Sequence, residues 1–189
     1  RELLDCDADV RFVPSGTAAN AVALAALCRP FEAVLCHEHS HIVTDEAGAP
    51  GFFGQGLGLI GLAGADAKID PQALARALAE ADDSHKQSPG ALSLTNATEY
   101  GAVYSVAEVA QLVEMAKARG LPAHLDGARL ANAAAAGFDL KSLRGLDLDI
   151  AVIGGTKAGL PLSEAVVLFD PSTARRFDAR TSGGCPLDV

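Results

Sequence analysis

The stretch Asp149-Ile150-Ala151-Val152-Ile153-Gly154-Gly155-Thr156-Lys157-Ala158-Gly159 decides the fold. A short apolar run rich in β-branched residues ends in two glycines, and a lysine follows at once. The run has the character of a buried strand, and the glycines let the chain leave it in a tight turn. Lys157 then sits near the carboxyl end of a strand, where α/β proteins place ligands. A lysine there is either a solvated loop residue or a nucleophile held by a rigid strand end, able to form a Schiff base with a carbonyl. The rest of the chain decides between the two.

Working outward, the same strand–turn–helix pattern recurs. Residues 123–126 form an apolar strand that breaks at Gly127-Ala128-Arg129 into an alanine-rich helix, and residues 165–169 form a last strand. Upstream, residues 10–14 form a strand that Ser15-Gly16-Thr17 turns into an alanine-rich helix ending near Cys28, before Pro30. Residues 33–36, 59–63 and 91–94 are further short apolar strands. Asp70-Pro71 opens a helix whose apolar stripe is Leu74, Leu78 and Ala81. Ser105 and Glu108 form a capping box for another, with Val109, Leu112, Val113 and Ala116 on one face. Strands apolar on both faces, alternating with helices, predict an α/β fold: a mostly parallel sheet covered by helices on both faces.

Composition narrows the function classes. The 189 residues suffice for one sizeable core, and 49% of them are hydrophobic. The net charge of −9, with no basic cluster, argues against a nucleic-acid partner. The longest apolar run, residues 21–28, is too short to span a bilayer, so no membrane partner is expected. Cys6, Cys28, Cys36 and Cys185 have no CxxC spacing and are expected to be reduced thiols of a cytoplasmic protein. The first residues do not resemble a signal peptide and residues 181–189 have no periodic pattern.

Three clusters carry candidate chemistry. The helix start at Ser15-Gly16-Thr17 offers backbone N–H groups and hydroxyls to a phosphate, or is an ordinary cap. His37, His39 and His41 alternate, and on a continuing strand they would share a face and could hold a metal, as in a metal-dependent hydrolase. Glu38 and the polar residues that follow argue that the strand has already ended. Asp126 ends an apolar strand as a cap or a functional anion, and Arg129 three residues on could pair with it. A phosphate cradle, a stacking histidine, an aspartate, an arginine and a Schiff-base lysine, all at strand ends, are what pyridoxal phosphate requires.

Four segments, in order, carry a resemblance: Phe12-Val13-Pro14-Ser15-Gly16-Thr17-Ala18-Ala19-Asn20, Ser40-His41-Ile42, His124-Leu125-Asp126-Gly127-Ala128-Arg129-Leu130 and Gly155-Thr156-Lys157. They resemble the L-threonine aldolases, in the β-eliminating lyase group of fold-type-I pyridoxal-phosphate enzymes. The resemblance implies aldol cleavage of threonine, allo-threonine or related β-hydroxy-α-amino acids to glycine and an aldehyde; another β-eliminating lyase on the same cofactor is the alternative. It implies that Lys157 holds the cofactor aldehyde, Asp126 partners the pyridine nitrogen, and Gly16 and Thr17 bind the phosphate. It further implies that His41 stacks on the ring and Arg129 takes the substrate carboxylate. Many members carry a second active-site histidine where this chain has Glu99. The resemblance also implies a homo-oligomer. Residues 1–180 are expected to be the cofactor-binding large domain, incomplete at its N-terminus, with 181–189 an irregular tail and the C-terminal small domain absent.

Overall fold

The structure, a computed structural model, describes residues 8–80, 85–161 and 163–182. Cys6, Ala81, Cys185 and residues 183–189 lie outside the described residues. The strands are β1 (Asp9–Val13), β2 (Glu32–His37), β3 (Gly58–Leu62), β4 (Ser88–Thr95), β5 (Ala123–Gly127), β6 (Ile150–Gly154) and β7 (Glu164–Leu168). They form one sheet in the order β1-β7-β6-β5-β4-β2-β3. The five strands from β3 to β6 are mutually parallel, and β7 enters antiparallel between β6 and β1. The sheet is therefore mostly parallel, as the alternation predicted.

The helices are α1 (Gly16–Leu27), α2 (His41–Thr44), α3 (Ala49–Phe53), α4 (Pro71–Ala79), α5 (Val106–Lys117), α6 (Leu130–Ala135) and α7 (Pro171–Ser182). Strand side chains alternate between two apolar cores, one on each face of the sheet. Leu35, Leu92, Leu94, Leu125 and Ala151 meet α4, α5 and α6. Val34, Cys36, Ala91, Ile150, Val152 and Val166 meet α1 and α7. Residues 19 to 27 of α1 are all buried, because a helix built of Ala, Val and Leu is apolar all round and can be covered on every side. Cys28 and Cys36 are buried free thiols whose burial pushes them up to about 12 and about 11, so neither is a ready nucleophile.

The local start signals hold. The Ser15 hydroxyl accepts from the Ala18 N–H, Asp70 accepts from the Gln72 N–H, and both halves of the Ser105/Glu108 capping box form. Helix α7 is an addition. Its signal, Asp170-Pro171, repeats Asp70-Pro71, and Asp170 accepts from the Thr173 N–H at 2.8 Å. Its buried Ala174 and Phe177 pack in the core shared with α1. No helix among the described residues is long and apolar enough to cross a membrane.

Register brings the chemistry-bearing turns to one edge. Glu164, at the start of β7, pairs with both Gly154 at the end of β6 and Val13 at the end of β1. Asp126, near the end of β5, pairs with Val152 on one side and Thr95 on the other. The carboxyl ends of β1, β5 and β6 thus open on the same side.

Candidate active site

The lysine turn is held by backbone crowding. A Cβ at Gly154 would run into the Ala128 backbone, and one at Gly155 would run into the Ser163 carbonyl. The end of β6 therefore threads a gap that only glycines pass. The Gly155 N–H donates to the Ser163 carbonyl at 3.1 Å and to Glu164 Oε2 at 3.0 Å. One tight helical turn, Thr156–Ala158, then carries Lys157 outward. Lys157 is exposed, and among the described residues its ammonium has no hydrogen-bond or ion-pair partner.

Across the cleft lies the start of α1. Ser15 occupies the Ala18 N–H, which leaves the N–H groups of Gly16 and Thr17 pointing out of the helix end. A Cβ at Gly16 would meet nothing within 4 Å, so the protein itself does not require glycine there. The space is available to something that approaches the backbone closely.

The floor is a buried polar chain. Asp126 is 1% exposed; its Oδ1 accepts from the Ala128 N–H at 2.9 Å, and its Oδ2 from the Asn20 amide at 3.1 Å. It is thus both the cap of the following turn and an anion facing the cleft. The same Asn20 amide donates to Glu46 Oε1 at 2.8 Å, and His41 Nδ1 lies 3.1 Å from that oxygen. Burial pushes the Glu46 carboxyl up, against its hydrogen bonds from Asn20 and His41. Two residues before Asp126, His124 is fully buried and bonded to the Ser93 hydroxyl, and burial pushes it down to about 4. At neutral pH it is an uncharged ring beside the Asp126 charge.

Gly16, Thr17, Asn20, His41, Asp126 and Lys157 line one cleft of about 250 Å³. A second cavity of about 260 Å³, behind the lysine turn, is lined almost wholly by apolar side chains and offers no titratable group. The first is the site, because in it, unlike the second, an amine, a carboxylate and a helix start converge.

The other candidates are placed differently. The Arg129 guanidinium does not pair with Asp126, as its spacing suggested. It turns to Glu99, with Nη1 and Nη2 donating to the two carboxylate oxygens at 2.6 and 2.9 Å. Two parallel bonds satisfy the fork better than a carboxylate already committed to Ala128 and Asn20. The histidine triad does not form. Strand β2 ends at His37, so the alternation stops there. The His37 ring is bonded at both nitrogens, to the Gly64 carbonyl and the His39 N–H; His39 stacks toward Tyr100; and only His41 reaches the cleft. Among the described residues no group of three His, Cys, Asp or Glu side chains could hold a metal, so the hydrolase alternative lacks its centre.

The profile of the beta-eliminating lyase family matches residues 1–185. The chain belongs to the beta-eliminating lyase family. Within it, the chain is 38% identical over 184 residues to a low specificity L-threonine aldolase of Pseudomonas aeruginosa, covering 95% of this chain and 53% of that one. A Pseudomonas sp. enzyme of the same description is 36% identical over the same coverage. Among solved structures, a threonine aldolase of Leishmania major superposes with a TM-score of 0.86 at 33% identity, covering 95% of this chain and 54% of that one. The chain thus spans about half the length of these relatives.

The family segments account for the turns but not for everything between them. Asn20, Glu46 and Glu164 have no role in the sequence reading, yet Asn20 and Glu164 line the cleft and Glu46 bonds to His41. Asn20 carried a signal: it is the one amide in a helix otherwise of Ala, Val, Leu, Gly and Thr, and a polar side chain there must find buried partners. Glu46 carried none, since it follows Thr44 and Asp45 in a polar stretch, whereas Glu164 is a lone charge at the head of an apolar run.

Proposed function

We propose that this protein cleaves β-hydroxy-α-amino acids, threonine foremost, into glycine and an aldehyde with pyridoxal 5'-phosphate as cofactor. One observation carries the reading: an unpaired lysine on a rigid strand-end turn faces, in one cleft, a buried aspartate and a helix start with open space beside Gly16. The residues fit the group. The Gly16 and Thr17 N–H groups suit its phosphate, and the Lys157 amine suits its aldehyde. When bound, pyridoxal phosphate supplies an electron sink for the pair left on Cα as the Cα–Cβ bond breaks.

The chain's own groups supply the rest. Asp126, oriented by Ala128 and Asn20, holds a proton at the pyridine nitrogen. His41 packs on the ring. Arg129 offers its fork to the substrate carboxylate when Glu99 yields it. Lys157 would hold the cofactor aldehyde by its amine and would deliver to Cα one proton, equivalent to the one the β-hydroxyl gives up as the Cα–Cβ bond breaks. Residues 1–180 act as the cofactor-binding large domain, and groups outside them complete the carboxylate pocket. The protein works as a cytoplasmic homo-oligomer that draws threonine toward glycine.

Lys157→Ala tests the reading. The variant is expected to keep its circular dichroism, to lose the visible absorbance that pyridoxal phosphate gives when held by a lysine, and to release no glycine from threonine. Turnover retained without an added amine overturns it.

A further inference from the structure

Glu46 is an expensive residue where it stands. Its side chain is 0% exposed, and it lies between α2 and α3 with, among the described residues, no cationic partner except, when protonated, His41. A buried carboxylate is costly unless its oxygens are paired. Among the described residues only Oε1 is paired, with the Asn20 amide and His41, while Oε2 has no partner. Asp149, a carboxylate that serves the fold, differs: its Oδ2 takes both the Lys117 ammonium and the Ala123 N–H at 2.7 Å. What Glu46 holds is the Asn20 amide and the His41 ring.

We propose that Glu46 is the positioning residue of His41, fixing the tautomer and orientation with which that ring faces the cleft. The inference rests on the reading of the cleft as the pyridoxal-phosphate site. The geometry assigns the proton. Asn20 already donates to Oε1, so Oε1 is an acceptor, and a bare Nδ1 3.1 Å from it would set two lone pairs against each other. Against an ionised Glu46, Nδ1 therefore donates, and in the neutral ring that tautomer leaves Nε2 as the open lone pair. Asn20 extends the device. Its second N–H reaches Asp126 Oδ2 at 3.1 Å, so one amide group spaces the carboxylate that holds His41 from the one that faces the pyridine nitrogen. The ring contact and the charge contact are thus set by a single rigid unit of α1.

A double-mutant cycle on cofactor affinity, read by absorbance titration with pyridoxal phosphate alone, tests this. Glu46→Leu is expected to weaken binding about tenfold, the scale of a lost charge-assisted hydrogen bond. Glu46→Gln keeps an acceptor oxygen in place and is expected to stay within about threefold of the parent. In a His41→Ala background, Glu46→Leu is expected to cost nothing further. Should Glu46→Leu fail to fold, Glu46→Asp, which withdraws the carboxylate by one methylene, runs the same cycle. Equal losses in both backgrounds make Glu46 merely structural and overturn the proposal. So does a silent Glu46→Leu beside a damaging His41→Ala. If His41→Ala itself leaves affinity unchanged, the proposal also falls, whereas the lysine-dependent absorbance still judges the cofactor reading separately.

Discussion

Two polar clusters of this molecule are built on opposite rules. At the start of α5, every group is closed on another. Ser105 and Glu108 cap each other, Glu108 Oε1 accepts from the Lys68 ammonium at 2.9 Å, and the Tyr104 hydroxyl takes the Ile69 N–H at 2.6 Å. The Lys68 hydrogen bond, with that from the Ser105 backbone, holds the Glu108 carboxyl down at about 2. Around the cleft, the opposite is found. The buried side-chain atoms without a partner among the described residues are Asn20 Oδ1, Ser40 Oγ, Glu46 Oε2 and His124 Nε2. Each belongs to the Asp126–Asn20–Glu46–His41 chain or lies within two residues of one of its members. Groups that serve the fold saturate each other, because an unpaired buried atom costs stability. Groups left open at one edge of the sheet are kept at that cost for something else to complete.

Four measurements can break or sharpen this contrast, beginning with the largest effect. Asp126→Asn is expected to lower kcat about a thousandfold while weakening cofactor binding much less. An amide cannot hold a proton on the pyridine nitrogen, although its shape and its bond to Ala128 survive. Near-normal turnover would return Asp126 to the class of closed, structural groups.

Next is a pH effect on the cleft side alone. Burial keeps His124 neutral down to about 4 in the folded chain, against the opposing pull of Asp126. An unfolded histidine takes its proton near about 6.5. Between these values the unfolded state binds the extra proton, so unfolding free energy falls as pH drops through that window, by on the order of 3 kcal/mol. Denaturant titrations at several pH values check it, and His124→Asn should flatten the profile in this window. A histidine variant with an unchanged profile would show that His124 does not titrate there.

The Glu99–Arg129 pair tests the boundary between the two classes, for it is closed yet Arg129 directly follows Ala128, which lines the cleft. Glu99→Ala is expected to free the fork and to lower KM for the amino acid about tenfold. An unchanged KM, measured beside an intact kcat, would make the pair a structural one. The smallest effect belongs to the closed cluster. Ser105→Ala is expected to cost about 1 kcal/mol of stability by denaturant titration, with activity untouched. A change in kcat would break the separation of the two regions.

What the sequence determined by itself is what short range decides. The caps at Ser15, Asp70 and Ser105 involve residues two or three apart, and all form. The apolar runs placed the strands to within a few residues, Asp126 falls near the end of β5, and the turns that follow strands carry Gly16, Thr17, His41 and Lys157. The Asp170-Pro171 signal of α7 is equally local. What only the tertiary structure decided is who meets whom. Asn20 and Asp126 bond across 106 residues of chain, and Arg129 chose Glu99, 30 residues away, over the nearer Asp126. The reversal of β7, which brings Glu164 under the lysine turn, also followed from register and not from composition. Periodicity and capping are properties of a few neighbouring residues, whereas a hydrogen-bond partner is selected by position to within an ångström, which exists only once the strands are in register.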